Sequence, residues 1–161
     1  MSDLNRRRLL VYAGVAVLVL ALGGAGYAYL SYVAEHSRGP DGLPDHRAVR
    51  ASDLWARPVA KLYYPGSKVV QTAQSDQSED PNNPASGPAR AETLLSTTAD
   101  RATLEAWYRQ ALASNGFTSS SPEPTSAQPV DLEWRRGGRE YFDLRIDSGA
   151  SQYRVVYQVT R

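Results

Sequence analysis

The chain has 161 residues, with 18 Lys and Arg against 17 Asp and Glu and a formal net charge of +1. That length holds one modest domain, and the even charge balance excludes nucleic acid as a main partner. There is no cysteine, and His36 and His46 are the two histidines, so disulfides, thiol catalysis, cysteine-ligated metals and lipid attachment through Cys are excluded and neither cofactor nor metal is expected.

From Leu9 to Ala34 the chain carries no charge over 26 residues. A helix of that length reaches about 39 Å, beyond the ~30 Å hydrocarbon core of a bilayer. Tyr12 near one end and Tyr27, Tyr29 and Tyr32 near the other suit two interfacial belts. The expectation is a cytoplasmic tail over 1–9, a transmembrane helix over 10–32 with the bilayer as its partner, and a juxtamembrane linker over 33–57. A cleaved signal peptide competes, with Arg6–Arg8 as basic region and Gly26-Tyr27-Ala28 as cleavage site. Its apolar core would span only about 7–15 residues, so length favours the single-pass anchor. Because Arg6–Arg8 abut the run, the positive-inside rule puts the N-terminus in the cytoplasm and the C-terminal domain outside the cell (inner or plasma) membrane. Ala21/Ala25 and Gly24/Ala28, each four apart, suit a weak helix-mediated dimer, though such residues are common in membrane helices.

The linker mixes charge, Gly and Pro, with a short helical turn near Asp53–Ala56. Both histidines fall in it beside Asp41 and Asp45, but a flexible linker gives a metal no fixed geometry.

Residues 58–161 read as β, then α, then β. Ser67–Thr72 and Arg90–Thr97 are strands. Between them the Pro-rich segment 73–89 reads as a mobile loop. Asp100–Asn115 is a helix: Leu104, Trp107, Tyr108, Ala111 and Leu112 recur at helical spacing, Asp100 is the N-cap and Asn115-Gly116 the stop. Residues 118–129 are a second mobile loop. Strands over Val130–Arg136, Glu140–Asp147 and Gln152–Thr160 close the chain.

Alternation sets their register. Val130, Leu132 and Trp134, then Phe142, Leu144 and Ile146, then Tyr153, Val155, Tyr157 and Val159 face inward. Trp134 meets Phe142 only if Gly137-Gly138-Arg139 is a three-residue loop. Trp107, at the centre of the helix's apolar stripe, and Trp134 are expected on the helix–sheet interface, fixing its spacing. The fold class is α+β: after the transmembrane helix, an antiparallel five-stranded sheet with one helix on one face, in the order ββαβββ.

Tyr63-Tyr64-Pro65-Gly66, the helix with Trp107-Tyr108, Leu112 and Gly116-Phe117, and Trp134-Arg135-Arg136-Gly137 together resemble a loose class of small bacterial extracytoplasmic domains, membrane-anchored or lipoprotein, of unknown function. The resemblance covers about residues 58–161. It implies an envelope location and carries no catalytic residues.

Two clusters are candidate contact surfaces. Tyr63 and Tyr64 flank a Pro-Gly turn and offer aromatic faces to a glycan or peptide. Arg135, Arg136 and Arg139 form a basic hairpin tip suited to phosphate headgroups or anionic wall polymers. On the opposite sheet face Asp131, Glu133, Asp143 and Asp147 alternate with Arg135, Arg145 and Arg154. Paired carboxylates can hydrolyse glycosides, but an open charged face is expected to desolvate none of them. No Gly-x-Ser-x-Gly, Ser-x-x-Lys or phosphate-binding Gly loop occurs. The functional expectation is a membrane-anchored, non-catalytic extracytoplasmic binding module for an envelope protein or wall polymer. The alternatives are a structural subunit of a membrane complex and, behind it, an envelope hydrolase.

Overall fold

A computed structural model describes residues 3–45, 47–78, 87–120, 130–147 and 151–160, with side chains from Val19 onward. The chain divides into two units, Met1–Arg47 and Ala48–Arg161.

The first unit is helix α1, Asp3–His36, and a short turn segment. The expected transmembrane helix over 10–32 is corrected: among the described residues no helix is long and apolar enough to cross a membrane. From Val19 onward α1 carries Gly23, Gly24, Gly26, Tyr27, Tyr29 and Tyr32 and ends on Glu35 and His36. These residues dilute its aliphatic content. After α1, Asp41 Oδ1 accepts the Leu43 amide at 3.0 Å and Leu43 is buried. His46 lies outside the described residues.

The second unit is an antiparallel sheet with its helices on one face. Its elements are α2 (Ala51–Trp55), a 3-10 turn (Pro58–Lys61), β1 (Lys68–Ser75), β2 (Ala89–Ser96), α3 (Arg101–Ser114), β3 (Thr118–Ser119), β4 (Val130–Arg136), β5 (Glu140–Ile146) and β6 (Gln152–Val159). The strand order is β1-β2-β6-β5-β4-β3. The expected five strands become six because Thr118 and Ser119 pair with Arg135 and Trp134. Gly116, at φ +79°, ends α3 and turns the chain back along β4, with Phe117 buried as an anchor. Two residues are too few to show alternation in the sequence. The parts of the expected loops at 79–86 and 121–129 lie outside the described residues.

The expected single helix is likewise joined by α2 and the 3-10 turn. Ala51, Leu54, Val59 and Ala60 are buried. The Ala51 amide donates to Asp76 Oδ1 at 2.7 Å and the Trp55 indole to Gln74 Oε1 at 2.7 Å. Residues 48–61 therefore pack on the sheet, where composition alone reads as spacer.

Alternation gives the register of the last three strands. Trp134 stands opposite Phe142, and Gly137-Gly138-Arg139 is the turn, with positive φ at both glycines. The inward residues of β4, β5 and β6 are all buried. α3 lays Leu104, Tyr108 and Leu112 on them, and burying each leucine contributes about 2 kcal/mol. Asp100 caps α3, its Oδ1 accepting the Thr103 amide at 2.8 Å, and that bond lowers its pKa. The expected central role of Trp107 is corrected. Tyr108 is fully buried at the centre, while Trp107 is half-buried beside it, edge-on to Tyr64 and Tyr108. The Tyr108 hydroxyl donates to the Leu62 carbonyl at 3.0 Å, and burial raises its pKa. A phenol can bury its ring and still satisfy its polar end, which is why it takes the middle of the stripe.

Candidate functional site on the outer face of the sheet

The face turned away from the helices is built by the other phase of the same strands. Register lines its residues up in cross-strand rows. Glu92, Val156, Asp143 and Glu133 make the middle row across β2, β6, β5 and β4. Leu94, Arg154, Arg145 and Asp131 make the row on one side. Arg90, Gln158, Tyr141 and Arg135 make the row on the other. A carboxylate-rich row is thus flanked by guanidinium groups.

These rows enclose a depression of about 390 Å³ lined by Arg90, Asp131, Leu132, Glu133, Asp143, Arg145, Arg154 and Val156. Val156, only 5 % exposed, is its apolar floor. Arg90 and Arg154 both reach Glu92, at 3.0 and 2.9 Å. Arg145 lies farther from its acids, 3.9 Å from Asp131 and 3.8 Å from Asp147. A smaller depression of about 190 Å³, lined by Gln71, Thr72, Ala73, Glu92, Leu94 and Arg154, continues the polar surface towards β1.

Asp143 is the unusual member. Burial raises its carboxyl pKa to about 6, helped by the negative charge of Glu133 and opposed by Arg90. Gln158 Nε2 donates to Asp143 Oδ2 at 2.8 Å. Glu133 moves the other way: hydrogen bonds from Arg135 Nε at 2.6 Å and Ser120 Oγ at 2.8 Å lower its pKa. The expectation that this face desolvates no acid is therefore corrected. Sitting between Val156 and Glu133 shelters Asp143 from water on a face that is otherwise wet.

The contact residues expected from sequence do not converge. The Tyr63 hydroxyl is 3.1 Å from Thr93 Oγ1 on the inner face, and the Tyr64 ring packs on Trp107. Both tyrosines are half-buried and brace the fold. Arg135 is exposed on the outer face, with its guanidinium 5.3 Å from the Tyr141 ring centroid. Arg136 points to the inner face and ion-pairs with Glu140 at 2.6 Å, and Arg139 Nε donates to the Thr160 carbonyl at 3.2 Å. The hairpin tip is thus split between two faces.

Sequence reasoning missed Glu140. Its carboxylate is buried and holds Arg136, Arg57 at 3.2 Å and the Tyr157 hydroxyl. Arg136 also donates to the Asn115 carbonyl at 2.8 Å and covers the Phe117 ring. This cluster ties the end of α3 to the β4–β5 hairpin. The signal was present: Glu140 shares the inward phase of Phe142 and Leu144. Arg90, Glu92 and Val156 were missed as well. They belong to the outer face only once β2 is known to pair with β6.

No family model, no curated protein and no solved structure matches this chain.

Proposed function

We propose that the second unit is a non-catalytic binding module of the cell envelope that takes a partner on the outer face of its sheet. The observation that carries this reading is the open depression over Val156, where Arg90, Arg145 and Arg154 ring Asp143 and Glu133. Guanidinium and carboxylate groups set alternately around an apolar floor suit a protein surface or polymer that carries both charges. The envelope placement is supported by the resemblance of about residues 58–161 to small extracytoplasmic domains.

The test is copurification of the full chain from its own cells, with Arg145→Gln and Arg154→Gln combined. Losing two such anchors should reduce partner recovery by about tenfold or more. The thermal melt should stay close to that of the unsubstituted chain, since exposed positions contribute little to folding. Full recovery with an unchanged melt contradicts the reading.

One observation favours a second reading. The opposite shifts of Asp143 and Glu133 resemble an acid and its charged partner in glycoside hydrolysis. Against it, Glu133 is held by Arg135 and Ser120, and the depression is open to water. Hydrolysis of a wall glycan that Asp143→Asn and Glu133→Gln each abolish would establish this reading instead.

A further inference from the structure

The outer face divides by sign between β6 and β5. Register puts Lys68 of β1, Arg90 of β2 and Arg154 of β6 on this face, against one acid, Glu92. Three cations and one anion give that half a formal charge of +2. On the β5 and β4 half, Asp131, Glu133, Asp143 and Asp147 stand against Arg135 and Arg145, a formal charge of −2. Internal pairing does not cancel the difference. Arg90 and Arg154 take the two oxygens of Glu92, at 3.0 and 2.9 Å, and Arg145 lies nearest Asp131 and Asp147. Each of these arginines is thus paired within its own half. Across the divide the contact is a neutral one, from the Gln158 amide to Asp143. The depression floored by Val156 straddles the same divide.

We propose that this face recognises a protein partner whose acidic and basic residues are segregated, its acidic side lying over β1, β2 and β6 and its basic side over β5 and β4. The inference rests on the reading above that the outer face takes a partner, and it names that partner's class and orientation. Complementary patches steer a partner into one orientation, because the reversed one sets like charges against each other. An apolar floor between the two patches keeps the field between them strong. Charge order also selects a protein over a wall polymer. A polymer repeats one charge pattern along its length, whereas this face changes sign once. From β2 to β4 is three strand steps, about 14 Å, which an extended chain covers in about four residues. A protein chain can place its acidic and basic blocks at that separation.

The test uses the purified full chain at about pH 8 and about 10 mM salt, where the carboxylates of the face are ionised and screening sets in beyond about 30 Å. The probes are two end-blocked peptides of one composition, Asp-Asp-Asp-Gly-Lys-Lys-Lys and Asp-Lys-Asp-Gly-Lys-Asp-Lys. In the first the block centres lie about four residues apart, matching the span of the face. An NMR titration should give this segregated peptide at least about fivefold the affinity of the alternating one. A nitroxide on its acidic end should broaden the amide signals of Arg90 and Glu92 more than those of Asp131 and Glu133. Arg90→Gln with Arg154→Gln neutralises one half, and Asp131→Asn with Asp147→Asn neutralises the other. Either pair should bring the preference below about twofold. The second pair leaves the fold alone, since the Asp131 and Asp147 side chains are 70 % and 68 % exposed. Equal affinity of the two peptides, binding of neither, a preference that survives both substituted pairs, or broadening centred on Asp131 and Glu133 overturns the inference. The reading it rests on fails separately, when Arg145→Gln with Arg154→Gln leaves partner recovery unchanged.

Discussion

Glu133 and Asp143 are register partners on the outer face, and the protein drives their two carboxyl groups in opposite directions. Like charges set directly opposite in a sheet repel. Here the repulsion is eased because Arg135 and Ser120 hold Glu133 charged, while burial makes Asp143 the easier of the two to protonate.

A pH dependence follows. In the unfolded chain Asp143 ionises at the ordinary carboxylate value, about 3.9, whereas in the fold it does so at about 6. Between those values the folded state binds more protons. The contribution of Asp143 to stability is therefore fully present below about pH 4 and is lost as pH rises through about 6. Glu133, with its lowered pKa, has the opposite sign and loses its contribution in acid. Thermal melts of the chain and of Asp143→Asn at about pH 4, 6 and 8 isolate the first effect. The variant should gain stability relative to the parent as pH rises. A difference that does not change with pH contradicts the assigned environment.

Tyr108, not Trp107, fixes the spacing of helix and sheet. Removing a large, fully buried aromatic costs roughly 3–5 kcal/mol, so Tyr108→Ala should remove most of the stability of a domain this small. Trp107→Ala, at the edge of the stripe, should cost less. Urea unfolding of both variants decides the order, and an equal or larger loss at Trp107 contradicts it.

Glu140→Ala leaves the guanidinium groups of Arg57 and Arg136 and the Tyr157 hydroxyl without their shared acceptor. Breaking one member out of a buried ion cluster should cost about 3 kcal/mol. Arg136→Met, which removes a cation that is partly exposed, should cost less. The measurement is again urea unfolding, and a Glu140→Ala loss below that of Arg136→Met argues against the cluster as the tie between α3 and the hairpin.

The inner face was legible in the sequence because its signal is local. The alternation through Val130–Arg136, Glu140–Ile146 and Gln152–Val159 gives phase, and the requirement that Trp134 meet Phe142 gives loop length. β3 escaped because two residues carry no period. α2 escaped because Ala51 and Leu54 sit in a stretch whose charged and Pro-rich composition reads as spacer. Helical spacing finds the stripe of α3 but not its centre, and the centre goes to Tyr108, whose hydroxyl reaches the Leu62 carbonyl, rather than to Trp107. At α1, the absence of charge over Leu9–Ala34 does not amount to apolar strength, because Gly and Tyr lower that strength without adding charge. The outer site was half legible. Its charged residues could be assigned to one face, but the rows around Val156 depend on the β2–β6 pairing, a long-range contact that local pattern does not encode.

The proposed partner site on the outer face over Val156 can be tested by trapping what lies on it. The direct measurement places a photoreactive phenylalanine analogue at position 154, and in a parallel strain at position 114 on α3, then irradiates living cells that make the full chain at its natural level. A discrete adduct from position 154 that is lost on adding Arg145→Gln, with none from position 114, is the predicted result. Adducts of equal yield from both positions, or from position 114 alone, would contradict it.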